Sequence, residues 1–258
     1  MTMAHQTPLP YYHHGHGTGP ALVLLHYWGD TSRTWGPVLD RLPEHEVLTL
    51  DFRGWGRSNG LPGPYTLRQL ADDTLAVIAH ARISDYVLVG HSMGGKVAQL
   101  VAATRPEGLR SIVLVGSGPA KPPAAITPEY QEGLAHAYDS DESAAWARDN
   151  ILTATELPEM ITSQVVADSR SAHDAARAEW PLHGIAEDIT EQARMISVPA
   201  LVIAGEKDQV EPLGVLRDNL VPYLSDARLV EIPATGHLIP LEAPDALAHA
   251  IASFTTAG

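Results

Sequence analysis

Gly90-His91-Ser92-Met93-Gly94 stands between two stretches of opposite character. Before it, Tyr86-Val87-Leu88-Val89 is a short apolar run of strand-forming residues, the pattern of a buried strand. After it, Gly95-Lys96-Val97-Ala98-Gln99-Leu100-Val101-Ala102-Ala103 has helical composition and stops at Arg105-Pro106. A strand that turns sharply into a helix at G-x-S-x-G is a nucleophile elbow. Such a turn forces a strained backbone on Ser92, and small residues two places either side keep strand and helix from colliding. The hydroxyl is thereby pushed out at the top of a sheet, with the first helical N–H groups beneath it.

A serine hydroxyl is a poor nucleophile until a base takes its proton, so Ser92 requires a histidine and an acid. Behind such an elbow the order is serine, then acid, then histidine, each at the carboxyl end of a later strand. Ala200-Leu201-Val202-Ile203-Ala204 is an apolar run, and Gly205-Glu206-Lys207-Asp208 follows it. Arg228-Leu229-Val230-Glu231-Ile232-Pro233 reads as another strand, with Thr235-Gly236-His237 directly after. His237 is the expected base, and Asp208 the group that holds its imidazole in the correct tautomer. Glu206 is the nearest competitor for the acid. The alternative acid position, after the strand that follows the elbow helix, is empty of candidates, since Gly116 to Pro128 contains no carboxylate. Of the thirteen histidines, only His237 follows a strand at the required point in this order.

With these residues in hand, the chain resembles the α/β-hydrolase superfamily, in its compact branch of esterases, lactonases and cofactor-free haloperoxidases or perhydrolases. The resemblance runs over nearly the whole length. It includes Leu24-Leu25-His26-Tyr27-Trp28, the loop Asp51-Phe52-Arg53-Gly54-Trp55-Gly56-Arg57-Ser58, and Gly236-His237. It implies that the backbone N–H groups of Trp28 and Met93 form an oxyanion hole. Tyr27 stands where the family usually has glycine; tyrosine does not reach positive φ as cheaply, and Gly29 is placed to absorb the difference. The Asp51–Ser58 loop is a fold marker, with Arg53 tying loops together, and His91 packs under the elbow. The cluster His13-His14-Gly15-His16 has no neighbouring carboxylate or cysteine in sequence, which argues against a metal site.

Strands and helices alternate. Strands are predicted at Ala21–His26, Val47–Asp51, Tyr86–Gly90, Ile112–Gly116, Leu201–Gly205 and Arg228–Ile232. Helices are predicted at Thr66–Ala81, Met93–Thr104 and Ala243–Phe254, with Tyr11–His14 as an antiparallel edge. This alternation predicts an α/β fold, a mostly parallel sheet flanked by helices. Residues 119–191 break the rhythm: the stretch is Ala-rich, helical in composition and carries Trp146 and Trp180. It reads as a helical cap inserted in a core made of residues 1–118 and 192–258. Tyr27, Trp146 and Trp180 are the candidate substrate contacts.

The 258 residues, 45% apolar, suffice for one large domain. A net charge of −14, with 31 acidic against 17 basic residues and no basic stripe, argues against nucleic acid and anionic membrane surfaces as partners. The absence of cysteine excludes disulfides, a thiolate nucleophile and thiolate metal sites. Met1 to Pro10 has neither a basic start nor an apolar stretch, which leads us to expect a cytoplasmic protein. Oligomeric state is not legible.

The expected activity is therefore cofactor-independent, metal-free hydrolysis of a small ester or lactone through an acyl-enzyme on Ser92. A serine at the elbow argues against the dehalogenases and epoxide hydrolases of this superfamily, which use aspartate there. The motif does not identify the bond attacked, so perhydrolysis and carbon–carbon cleavage remain as alternatives. A small-molecule receptor with a retained triad is the non-enzymatic one.

Overall fold

The computed structural model describes residues 8–256; residues 1–7, which form most of the amino-terminal stretch read for a leader, lie outside it. Seven strands make one sheet: β1 Tyr12–Gly15, β2 Thr18–Leu25, β3 His45–Leu50, β4 Tyr86–His91, β5 Leu109–Val115, β6 Ala200–Gly205 and β7 Ala227–Ile232. Their order is β1-β3-β2-β4-β5-β6-β7, with β1 antiparallel to β3 and every other pairing parallel. This is the α/β-hydrolase fold, as expected. Strand ends agree with the sequence reading to within three residues. β2, for example, begins at Thr18, which pairs with His45 before a shift in register.

The strands read as unbroken apolar runs because both faces are covered. Val23, Leu25, Leu88, Ile112, Leu114 and Val202 belong to the core on one side. Leu22, Leu24, Val87, Val89, Val113 and Ile203 belong to the core on the other, under the closing helix Pro244–Thr256. The period-two alternation of side chains thus divides each run between two cores.

Between β5 and β6 the chain forms the helices Pro128–Ala135, Asp141–Ala147, Glu159–Ser169 and Asp174–Leu182. Thr127 caps the first through the Tyr130 N–H, and Ser140 and Ser143 cap the second reciprocally. Tyr138, Ala144, Ala176, Trp180 and Ile185 join the same core cluster as Leu25 and Leu114. The insertion therefore packs continuously onto the sheet. No helix among the described residues is long and apolar enough to cross a membrane.

Arg53 ties loops together: it is buried, makes a two-pronged pair with Asp73 at 2.7 Å on each arm, and donates to the Pro62 carbonyl at 2.8 Å. His14 finds a carboxylate that the sequence does not place beside it. Antiparallel pairing of β1 with β3 brings Glu46 Oε1 to 2.7 Å from its Nε2.

Candidate active site

Ser92 closes β4 and caps the helix Met93–Ala103 with φ 52° and ψ −116°, a conformation costly for any residue with a Cβ. Ser92 N–H donates to Val115 O and its carbonyl accepts from Gly118 N–H, both at 3.0 Å, and also from the N–H groups of Gly95 (2.9 Å) and Lys96 (3.2 Å). The flanking glycines are sterically required. A Cβ on Gly90 would lie 2.3 Å from the Gly94 carbonyl oxygen, and one on Gly94 would lie 2.5 Å from that of His26. At Gly95 it would meet Ser117 Oγ at 2.4 Å.

The parallel strands deliver the other two predicted groups to the same end of the sheet. Asp208 follows β6 and His237 follows β7, and His237 Nδ1 lies 2.8 Å from Asp208 Oδ2 with both side chains buried. Asp208 Oδ1 accepts from the N–H groups of Val210 (2.8 Å) and Glu211 (3.0 Å). Burial alone would raise the Asp208 carboxyl, but the His237 charge, its hydrogen bond and the two N–H donors outweigh it and hold the carboxyl below the usual range. An ionised Asp208 fixes the proton of His237 on Nδ1 and leaves Nε2 free as a base. Glu206, the competitor, is turned away: it accepts from Ala234 N–H at 2.7 Å and from Lys207 Nζ at 3.2 Å, in solvent.

Ser92 and His237 line one cavity of about 410 Å³, with Tyr27, Trp28, Trp146 and Trp180 also on its wall. The Ser92 hydroxyl makes no hydrogen bond among the described residues and faces the cavity. Tyr27 and Trp180 are buried, whereas Trp146 is 60% exposed and sits at the rim.

Trp28 is clamped by the insertion. Its indole N–H donates to Arg177 O at 2.9 Å, and its ring lies 4.3 Å from that of Tyr138. Ser169 Oγ donates to Gly29 O at 2.9 Å. The backbone turn that Tyr27 cannot make cheaply falls on Gly29, at φ 98°, where a Cβ would strike Tyr138. Neither Trp28 N–H nor Met93 N–H donates to an acceptor among the described residues. Behind the loop, Asp30 is buried with one oxygen accepting from Thr31 N–H at 2.7 Å and the other unpartnered. Burial first, and then the nearby Asp168 carboxylate, push the Asp30 carboxyl well above its ordinary range.

His91 packs under the elbow. Burial depresses its imidazole to about 3, so it is neutral, and its Nε2–H donates to the His237 carbonyl at 2.8 Å.

These observations, with strand, elbow and strand-end residues in register, match one family pattern over residues 22–250. The chain belongs to the alpha/beta hydrolase family. Among similar proteins, the pimeloyl-acyl-carrier-protein methyl ester esterase of Pseudoalteromonas atlantica is 38% identical over 105 residues. That match spans 40% of this chain and 39% of that protein, so it covers less than half of the relative's length. The non-heme haloperoxidase of Rhodococcus erythropolis is 28% identical over 237 residues, 86% of each chain. Among solved alpha/beta hydrolase structures, the enol-lactonase from Burkholderia xenovorans LB400 superposes with a TM-score of 0.83 at 26% identity, covering 95% of this chain and 96% of that one.

Sequence reasoning missed Glu211, Tyr130 and Tyr138, all of which line the cavity. Glu211 lies three residues beyond Asp208, so its strand-end position was visible; its burial was not. Lys96 was also missed. It is wholly buried and donates to the carbonyls of Gly184, Ile185 and Glu187 in the insertion. Burial lowers its ammonium group to about 8.

Proposed function

We propose that this alpha/beta hydrolase cleaves small carboxylic esters or lactones through an acyl-enzyme on Ser92, with His237 as base and Asp208 as the acid that orients it. The observation that carries this reading is the buried His237–Asp208 hydrogen bond opening onto the same cavity as a strained, unpaired Ser92. Ser92 Oγ attacks the carbonyl carbon while His237 Nε2 takes its proton. Negative charge gathers on the carbonyl oxygen, where the N–H groups of Trp28 and Met93 receive it. Each such donor is worth roughly 100- to 1000-fold in rate. The tetrahedral intermediate collapses, and the alcohol leaves with the proton from His237. Water, deprotonated by His237, then attacks the acyl-enzyme and releases the acid. The ionised Asp208 stabilises the imidazolium at both steps.

Residues 119–191 act as the cap in this reading, with Tyr27, Trp180 and the rim residue Trp146 shaping the substrate space. A second reading is favoured by the haloperoxidase relative: peroxide in place of water would release a peracid from the same acyl-enzyme. The test is labelling with a fluorophosphonate followed by peptide mass spectrometry, beside turnover of p-nitrophenyl esters with and without peroxide. Label on Ser92, lost together with turnover in Ser92→Ala, is the expected result. Label on another serine sinks the assignment.

A further inference from the structure

Glu211 is an unused group at the centre of the site. It is only 4% exposed, yet it lines the cavity shared by Ser92 and His237. Its carboxyl makes no hydrogen bond among the described residues; its only recorded bond runs from its backbone N–H to Asp208. Other buried carboxylates have partners, although Asp30 has one on a single oxygen only. Asp73 is held by Arg53 and Gln69, Asp168 by Arg33 and Thr31, and Asp51 by the N–H groups of Ser32 and Arg57. Neither Glu211 oxygen is sealed off in the interior; both open to the cavity, and a polar group so placed is satisfied by what the cavity holds.

Resting on the ester-hydrolase reading above, we propose that Glu211 is a specificity-determining residue that hydrogen-bonds a neutral oxygen, a hydroxyl or keto group, carried by the substrate away from the scissile ester.

The neighbours decide the charge type. The nearest candidate cation, Lys96, forms no ion pair with Glu211, because its three N–H bonds are committed to the carbonyls of Gly184, Ile185 and Glu187. Burial first, and then the adjacent Asp208 carboxylate, push the Glu211 carboxyl well above its usual range, against a smaller opposing pull from Lys96. This direction favours the protonated acid, which offers one O–H donor and one carbonyl acceptor. A hydroxyl or keto oxygen satisfies such a pair. A carboxylate tail does not fit: the cavity wall carries Glu129 and Glu211 and no lysine or arginine among the described residues, and its two histidines, His136 and His237, are already bonded to Asp139 and Asp208. The rest of the wall is mainly apolar and aromatic, so the oxygen has few competing partners.

The experiment walks a single oxo or hydroxyl group along the acyl chain of ethyl heptanoate and along the alcohol chain of pentyl acetate. kcat/KM is measured for each ester against its unsubstituted parent. In the wild type one position should exceed the parent by roughly five- to a hundredfold, the value of satisfying a buried group. Glu211→Gln, which keeps a donor and an acceptor, should retain the preference, and Glu211→Met should abolish it. The same ladder is read as affinity by calorimetry in Ser92→Ala, where chemistry is removed. If no ester is turned over by the wild type, the Ser92 reading falls, and the affinity ladder still decides the role of Glu211. A flat ladder in the wild type and in Ser92→Ala overturns the proposal even if Glu211→Met fails to fold. So does a preference that survives Glu211→Met, or a carboxylate-tailed ester preferred over both.

Discussion

The Nε2–H of His91 donates to the backbone carbonyl of His237 at 2.8 Å, so the residue before Ser92 holds the loop that carries the imidazole. Their rings lie 5.2 Å apart. Because burial keeps His91 neutral, it places no second cation beside His237. His91→Leu should leave the His237 carbonyl without its donor, costing about 1–3 kcal/mol of stability by urea unfolding. It should also lower kcat/KM for any ester by about tenfold while Ser92 still labels. Unchanged stability and turnover would mean the contact is incidental.

Asp208→Asn should reduce turnover by roughly 10,000-fold, the cost of the equivalent change in a serine protease triad. Glu206→Gln should be nearly silent, because Glu206 bonds only to Ala234 and Lys207 at the surface. A crippling Glu206→Gln beside a mild Asp208→Asn would reassign the acid.

The buried acids give opposite pH signatures. Asp208 is held below its ordinary value, so its contribution to stability is complete above about pH 4 and is lost as pH falls through its folded value. Asp30 is raised by burial and by Asp168, so the folded state keeps a proton that the unfolded chain releases. From about pH 4 upward, until Asp30 itself ionises, stability falls with pH on its account. Asp30→Asn should therefore flatten the decline in unfolding free energy as pH rises from about 4. A decline that stays as steep in the variant contradicts this.

Gly94→Ala should fail by collision. The added methyl would stand 2.5 Å from the His26 carbonyl oxygen and 2.6 Å from that of Leu25, both backbone atoms of the neighbouring strand end. Such overpacking costs at least 1–3 kcal/mol. A thermal melt within a degree of the wild type would show that strand and helix have more room than the structure allows.

The three tryptophans of the cavity should separate by burial. Trp146→Ala, at the exposed rim, should change the ratio of short- to long-ester efficiencies with little effect on the melt. Trp180→Ala should change that ratio and also cost about 3–5 kcal/mol, since its ring is packed against Gly118 and Gly184 with no room for even a methyl between them. Trp28→Phe should keep most activity although it loses the bond to Arg177 O. Trp28→Pro removes the backbone N–H and should cost about 100- to 1000-fold if the loop survives. Full activity in a folded Trp28→Pro protein would remove Trp28 from the oxyanion hole.

Local chemistry made most of the fold legible in one dimension. An apolar run flanked by glycines, a Ser between Gly90 and Gly94, and histidine and carboxylate directly after later runs are patterns that backbone sterics and burial impose within ten residues. The sequence by itself therefore determined the parallel sheet, the elbow at Ser92 and the order in which Asp208 and His237 arrive at one edge. It did not determine which carboxylate turns inward: Glu206 and Asp208 differ only in where the loop after β6 points, and that direction is set by Val210, Glu211 and His237 together. Nor could it show that Glu211, an acidic residue in a strongly acidic chain, is buried and unpaired. Lys96, Tyr138 and the bond partner of His91 were equally hidden: Lys96 bonds Gly184, Ile185 and Glu187, Tyr138 packs on Trp28 after β2, and His91 bonds His237, all distant in sequence. Contacts of that range have no period in the sequence. Only the folded chain, in which residues between β5 and β6 share one cavity wall with Ser92 and His237, decides which polar groups face that cavity.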